Sequence, residues 1–91
     1  MPRLNAGDLT TALASLPGWT AANNEISKTF VFGNFVEAVA FVNRVADLAE
    51  AAGHHPDIDI RYNRVKIVLT THDDGGVTDK DAALAGEIEK S

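Results

Sequence analysis

The sequence predicts an α+β domain in which a single four-stranded antiparallel sheet carries three helices packed on one face, in the order α-β-β-α-β-β-α. Two observations predict this class. Segments of helical periodicity alternate along the chain with pairs of segments in which apolar and polar residues alternate. The turns within each pair are too short for a crossover, so the paired strands must be antiparallel. The 91 residues suffice for one domain, expected to span residues 1–91.

The first part of the chain predicts a helix followed by a hairpin. Asp8 is the expected helix N-cap, and Pro17-Gly18 ends the helix. Trp19 opens a short extended segment, and Asn23-Asn24 is a two-residue turn of a type that tolerates positive φ. Alternation over residues 26–32 then predicts a strand. The apolar positions of the helix are Leu9, Ala12, Leu13 and Leu16.

A long helix is predicted over residues 35–52. Asn34 is its expected N-cap, and Gly53 stands where glycine adopts the left-handed C-cap. Two apolar stripes run along this helix, which makes its apolar arc wider than one sheet face requires. Such an arc fits either a helix sunk deeply in its own core or one that also packs against a second subunit. The stripes consist of Phe35, Val39, Val42, Ala46 and Ala49, and of Phe41, Val45, Leu48 and Ala52.

The rest of the chain predicts a second hairpin and a last helix. Polar and apolar residues alternate over residues 57–62 and 64–71, with Asn63 between the two strands. The Asp-Asp-Gly-Gly segment that follows predicts a loop. Thr78 is the expected N-cap of the last helix, where acidic residues of the first turn favour the helix dipole. The apolar positions of this helix are Ala82, Leu84, Ala85 and Ile88.

Composition excludes several classes of protein. The formal net charge of −5 disfavours binding to nucleic acid or to anionic lipid, because both require a basic surface. The chain has no cysteine, which rules out disulfides, thiolate nucleophiles and cysteine metal ligands. No segment approaches 18 uninterrupted apolar residues, and no secretory signal is seen, so we expect a cytoplasmic location and no membrane contact.

Three histidines are the candidate chemical groups. His54 and His55 precede the second hairpin, and His72 lies at the end of its second strand. The two strands rise equally per residue, so the hairpin brings its two ends, and with them the three imidazoles, to one end of the sheet. Such a cluster can be structural, can bind zinc, or can perform general acid–base catalysis, for which histidine is suited near neutral pH.

Three further residues are candidate supporting groups. Glu50 precedes His54 by four residues and would share a helix face with it if the helix continued that far. A carboxylate there would orient the imidazole, although a solvated glutamate is an equal alternative. Asp81 is either a capping residue or a supporting acid, and Trp19 is either a pocket wall or a core residue.

The segment Glu50-Ala51-Ala52-Gly53-His54-His55-Pro56, followed at set spacings by Tyr62, His72 and Asp81, resembles the signature of the pterin-4a-carbinolamine dehydratases. The Thr71-His72-Asp73 step, the glycine pair before the last helix, and the Phe30, Phe32 and Phe35 run support the resemblance. It covers the chain from about residue 9 to residue 88.

The resemblance implies a dehydratase without a cofactor or metal, which removes water from 4a-hydroxytetrahydrobiopterin to give quinonoid dihydropterin. Carried over by position, His54, His55 and His72 are the active-site histidines, with Glu50 and Asp81 as supporting acids. Trp19 falls near a tryptophan close to the family's pterin site. His54 and His72 are the expected acid–base pair, and His55 is expected mainly to bind.

The resemblance also implies partners. Members of the family form dimers or tetramers, which fits the wide apolar arc of the long helix, and their product serves aromatic amino-acid hydroxylases such as phenylalanine hydroxylase. The alternative function is a non-catalytic one. Members in animals also act as dimerisation cofactors for a homeodomain transcription factor, and relatives that have lost the histidines act in assembly or binding.

Overall fold

The computed structural model describes residues 2–91 and shows three α-helices and one four-stranded sheet in the predicted order. The helices are α1 (Ala6–Ala14), α2 (Phe35–Ala52) and α3 (Asp79–Lys90). The strands are β1 (Thr20–Ala22), β2 (Glu25–Val31), β3 (Asp57–Arg61) and β4 (Arg64–Leu69). A single 3₁₀ turn, His72–Asp74, lies between β4 and α3. The predicted α+β class is confirmed.

The sheet has the strand order β1-β2-β4-β3, and every neighbouring pair is antiparallel. β4 is paired on both sides, and its successive side chains alternate between a fully buried face and an open face because a strand is pleated. Val65, Ile67 and Leu69 are the buried set, at 0% exposure. The register places the polar residues Arg64 and Lys66 on the open face. One face of the sheet is therefore covered and the other is polar.

The core lies between this covered face and the helices. α2 buries residues at the three- and four-residue spacing that keeps side chains on one helix face. α3 buries a shorter apolar row. Each fully buried large aliphatic side chain contributes about 1.5–3 kcal/mol by leaving water. The buried apolar helix residues are Ala38, Phe41, Val45 and Ala49 of α2, and Leu84, Ala85 and Ile88 of α3.

The first helix differs from its prediction at both ends. Asn5, not Asp8, is the N-cap, because the Asn5 Oδ1 accepts a hydrogen bond from the Asp8 N–H at 2.8 Å. Asp8 instead lies in the first turn, where its charge favours the helix dipole. The helix ends at Ala14, so Leu16 lies beyond it yet remains buried.

The second hairpin is shorter than its prediction. β4 ends at Leu69, and His72 begins the 3₁₀ turn instead of ending the strand. Thr71 leaves the sheet because its backbone pairs with Gly76 in an isolated bridge. At the other end of the hairpin, Tyr62 and not Asn63 has a positive φ, of 51°. The Asn23-Asn24 turn is as predicted, with φ of 54° and 64°.

The wide apolar arc of α2 is only partly covered within the chain. Phe35 is 51% exposed and Val36 is 76% exposed, while Val39 is half-buried and Ala40 is exposed. These four residues, with Asn43, surround a shallow apolar depression, which we call the α2 outer patch. The helix therefore does not sink its whole arc into its own core. Within residues 2–91, no helix combines the length and apolar character needed to cross a membrane.

Candidate active site

The end of α2 positions the first two histidines. Gly53 adopts the left-handed C-cap with φ of 63°, and the His54 N–H donates to the Ala49 carbonyl at 3.1 Å. The chain thus turns away from the helix axis at Gly53. Pro56 then favours an extended conformation at His55, which leads the chain directly into β3. The two adjacent histidines consequently leave the helix in different directions.

The segment after β4 positions the third histidine. The Thr71 N–H donates to the Gly76 carbonyl at 3.0 Å, and the Gly76 N–H donates back to Thr71 at 3.3 Å. These two bonds close a loop between Thr71 and Gly76, and the 3₁₀ turn inside this loop begins with His72. Gly75 ends the turn in the left-handed region, with φ of 71°. His72 is thereby fixed beside the start of β3.

All three histidines line one cavity of about 360 Å³, as the hairpin geometry predicts. This volume lies in the range of small-molecule sites, about 300–1,000 Å³. The cavity is open to solvent at the end of the sheet where β4 ends and β3 begins. Its other lining residues are Gly53, Thr70, Thr71, Asp73 and Lys80.

His54 is paired with Asp81 across the gap between α2 and α3. The His54 Nε2 lies 2.5 Å from the Asp81 Oδ1, and the His54 side chain is 13% exposed. Asp81 is fully buried and also accepts hydrogen bonds at Oδ2 from the Thr78 N–H and the Thr71 hydroxyl, both at 2.9 Å. Asp81 therefore takes part in capping α3 and also contacts His54, while its role as a supporting acid stays a prediction.

Glu50 contacts His55 and not His54. The predicted Glu50–His54 pairing is wrong because α2 ends at Ala52 and the Gly53 cap turns His54 away from the face that carries Glu50. Instead, the Glu50 Oε2 is hydrogen-bonded to the His55 Nε2. Both side chains of this pair are largely exposed, at 76% and 64%. Solvent therefore weakens this pair relative to the buried His54–Asp81 pair.

His72, like His55, is exposed, but no carboxylate in the described part of the chain pairs with its ring. Lys80, the first residue after the Asp79 start of α3 and a neighbour of the cavity, adds a cation to its wall. Lys80 and Thr71 were not among the site residues that the sequence predicted. The only signal for them was their adjacency to Asp81 and His72, which by itself marks no role.

Trp19 and Tyr62 both lie away from the cavity. Trp19 is buried in the core, where its Nε1–H donates to Glu89 at 2.8 Å and its ring meets Phe30 edge-on. The expected proximity of Trp19 to the site is therefore not supported by the geometry of this chain. Tyr62 lies at the tip of the second hairpin, at the opposite end of the strands from the histidines.

A metal site is not formed by the described residues. Across positions 2–91, no group of three or more histidine, aspartate or glutamate side chains is arranged to hold an ion. Two of the three imidazoles are already engaged by carboxylates. The arrangement is suited to proton transfer, since one imidazole is largely buried and hydrogen-bonded and two others line the same solvent-open cavity.

Comparison with known sequences shows which family this chain belongs to. The family model described as Pterin 4 alpha carbinolamine dehydratase matches residues 2–91. A Chloroflexus aurantiacus protein, provisionally named pterin-4-alpha-carbinolamine dehydratase, is 60% identical over 90 residues. The aligned part covers 99% of this chain and 97% of that protein.

Two solved structures are similar in fold. The transcriptional coactivator/pterin dehydratase from Brucella melitensis has a TM-score of 0.93 and 34% sequence identity, over 97% of this chain and 96% of that chain. A pterin dehydratase-like protein described as a RuBisCO assembly factor in the alpha-carboxysome has a TM-score of 0.66 and 25% identity. That match covers 79% of this chain and 83% of the other. The fold thus occurs in proteins described by a dehydratase name and by an assembly role.

Proposed function

The chain belongs to the pterin-4α-carbinolamine dehydratase family, and from this premise we propose that it removes water from 4a-hydroxytetrahydrobiopterin to give quinonoid dihydropterin. The observation that carries the proposal is the buried His54–Asp81 pair, which faces a cavity shared with His55 and His72. A cavity lined by three imidazoles can both supply and accept protons near neutral pH.

The proposed reaction is an elimination from one carbon and its neighbouring ring nitrogen. An acid gives a proton to the hydroxyl oxygen, and the carbon–oxygen bond breaks to release water. A base takes the proton from the nitrogen, and the electron pair of the broken N–H bond forms the new carbon–nitrogen double bond. The overall reaction is neither an oxidation nor a reduction, so it balances without a redox cofactor.

We assign the base to His54 and the acid to His72. The ionised Asp81 accepts the hydrogen of the His54 Nε2, which leaves the Nδ1 lone pair to take a proton from the substrate. The Asp81 carboxylate then stabilises the imidazolium that forms. His72, which lines the same cavity, delivers the other proton. His55, paired with Glu50 at the cavity edge, is assigned to substrate binding.

The purified protein is expected to accelerate the dehydration of chemically generated 4a-hydroxytetrahydropterin. Stopped-flow absorbance of the quinonoid product measures this directly. The same assay after dialysis against EDTA separates acid–base catalysis from the zinc alternative, because only the zinc site loses its activity to the chelator. Failure of the protein to accelerate the reaction above the buffer rate would refute the proposed function.

The cellular setting is also a proposal. The absence of cysteine from the chain supports action in the reducing cytoplasm. There, the quinonoid product would be reduced and returned to a hydroxylase that consumes tetrahydropterin, with phenylalanine hydroxylase as the expected partner of the pathway.

The α2 outer patch supports the further proposal that the protein forms a homodimer or homotetramer. Phe35 and Val36 are large apolar side chains that are more than half exposed in the single chain. A second copy would cover them, with the usual gain of about 25 cal/mol for each Å² of apolar surface removed from water. The acidic and basic residues of the open sheet face offer no comparable apolar area.

Replacing Val36 with glutamate is expected to reduce the oligomer to a smaller species, because the substitution places a charge in the centre of the α2 outer patch. Analytical ultracentrifugation at micromolar concentration measures the change. Val31→Glu is the matched control, since Val31 is 60% exposed but lies on the open face of the sheet. A wild-type monomer, or a Val36→Glu protein of unchanged mass, would contradict the proposal.

A non-catalytic binding or assembly role is the second candidate function, and the uncovered α2 outer patch is the observation that favours it. The role can be separated from catalysis in a strain that lacks this protein. Rescue by His72→Ala but not by Val36→Glu would favour the binding role. Rescue by Val36→Glu but not by His72→Ala would favour the dehydratase.

A further inference from the structure

A chain of buried hydroxyl groups lies behind the His54–Asp81 pair. The Thr71 Oγ1 is 2.9 Å from the Asp81 Oδ2 and 2.8 Å from the Thr78 Oγ1. Thr78 and Asp81 are 0% exposed, and Thr71 is 8% exposed. Of this group, only Thr78 and Asp81 form the capping box of α3, whereas Thr71 belongs to the segment after β4. The Thr71 hydroxyl therefore joins two separate elements and is not needed to cap the helix.

The direction of these hydrogen bonds follows from counting protons. An ionised carboxylate only accepts, so Thr71 donates its single hydroxyl proton to Asp81. Thr78 must then donate to Thr71, and the Thr78 Oγ1 accepts from the Lys80 N–H at 3.3 Å. Both hydroxyl protons point along the chain toward the carboxylate. With the Thr78 N–H also bound at Oδ2, the remaining Oδ1 is directed at the His54 Nε2.

Thr71 is also held through its backbone. Its N–H and carbonyl form the bridge with Gly76 that closes the loop containing His72. One residue thus fixes the position of His72 through the backbone and the orientation of Asp81 through the hydroxyl. Since Asp81 in turn orients His54, Thr71 connects the two imidazoles assigned as acid and base.

We propose that Thr71 is a positioning residue that holds Asp81 so that His54 carries its proton on Nε2 and presents Nδ1 as the base. The expected effect of Thr71 on the rate rests on the proposed dehydratase function. The expected effect of Thr71 on the His54 tautomer does not depend on that function. Without the Thr71 hydroxyl, the Asp81 Oδ2 keeps only the Thr78 N–H, so the carboxylate loses one of the three hydrogen bonds that fix its orientation. The Asp81 Oδ1 is then held less firmly opposite the His54 Nε2, so the Nε2–H tautomer of His54 is less strongly favoured.

Thr71→Val removes the hydroxyl and preserves the shape of the side chain, whereas Thr71→Ser keeps a hydroxyl at this position. Thr29→Val makes the same change at an exposed position of β2 and is the matched control. In Thr71→Val we expect kcat for dehydration to fall about tenfold or more, as loss of one buried hydrogen bond implies. We expect KM to stay within about twofold, because Thr71 orients a catalytic group and does not provide uniform substrate binding. Thr71→Ser and Thr29→Val should remain close to the wild type.

The second readout is the nitrogen-15 NMR spectrum of the histidine rings, assigned with His54→Gln. The wild type should show the Nε2–H tautomer at His54, and Thr71→Val should show a mixture of tautomers. Wild-type kcat and an unchanged His54 tautomer in folded Thr71→Val would overturn the proposal. If Thr71→Val does not fold, the wild type and Thr71→Ser decide the question. Absence of the Nε2–H tautomer at His54 in the wild type would overturn the proposal. Its presence there, together with an unchanged spectrum in Thr71→Ser, would support the proposal. An inactive wild type would refute the proposed function alone, since the ring spectra still decide the role of Thr71.

Discussion

His54→Gln is expected to lower kcat for pterin dehydration by about 10²–10⁴-fold, the usual contribution of one general acid or base. Glutamine offers an N–H to the Asp81 Oδ1 in place of the imidazole Nε2–H, but it cannot take a proton from the substrate. The substitution therefore removes the proposed base while leaving the buried carboxylate with a donor. Stopped-flow turnover and thermal unfolding, measured on the same preparation, separate a loss of catalysis from a loss of stability.

The matched control for this variant is His55→Gln. His55 is exposed and paired with the exposed Glu50, so we expect its loss mainly to raise KM and to leave kcat within about tenfold of the wild type. A His54→Gln protein with kcat within tenfold of the wild type would show that His54 is not the base. A larger loss of kcat in His55→Gln than in His54→Gln would reverse the two assigned roles.

Asp81→Ala is expected to destabilise the fold by about 3 kcal/mol or more. The substitution strips the acceptor from three hydrogen bonds, donated by His54, Thr71 and the Thr78 N–H. A buried donor left without an acceptor costs about 1–3 kcal/mol, and the bond from the Thr78 N–H is also the Asp81 half of the capping box at the start of α3. At about 4–8 °C per kcal/mol for a domain of this size, the melting temperature should fall by roughly 12–24 °C.

Two companion variants test the cause of this loss. Asp79→Ala removes an exposed carboxylate from the same first turn of α3 and should cost less than about 1 kcal/mol, because it loses only the dipole interaction. Asp81→Asn keeps one acceptor oxygen but turns an amide toward a donor, so its stability should lie between that of Asp81→Ala and the wild type. Equal melting temperatures for Asp79→Ala and Asp81→Ala would contradict the buried network.

Asp81 also shows why some of the site could not be read from the sequence. Its place in the first turn of α3 follows from Thr78 and from the apolar spacing that comes after it. Whether that carboxylate faces solvent or the end of α2 depends on how the two helices pack, which local spacing does not determine. The same limit applies to Glu50, which pairs with His55 because the left-handed Gly53 ends the helix one residue before His54.

The order of the elements, the antiparallel pairing within each hairpin and the meeting of three histidines at one end of the sheet can all be derived from the sequence. These features follow from local periodicity and short turns, which act over a few residues. The structure was needed to show which carboxylate contacts which imidazole, that Thr71 joins Asp81 to the His72 loop, that Trp19 lies in the core, and that the α2 outer patch is uncovered in the single chain. Those features depend on contacts between residues far apart in the chain, where the packing of whole elements sets the distances and the burial of each group.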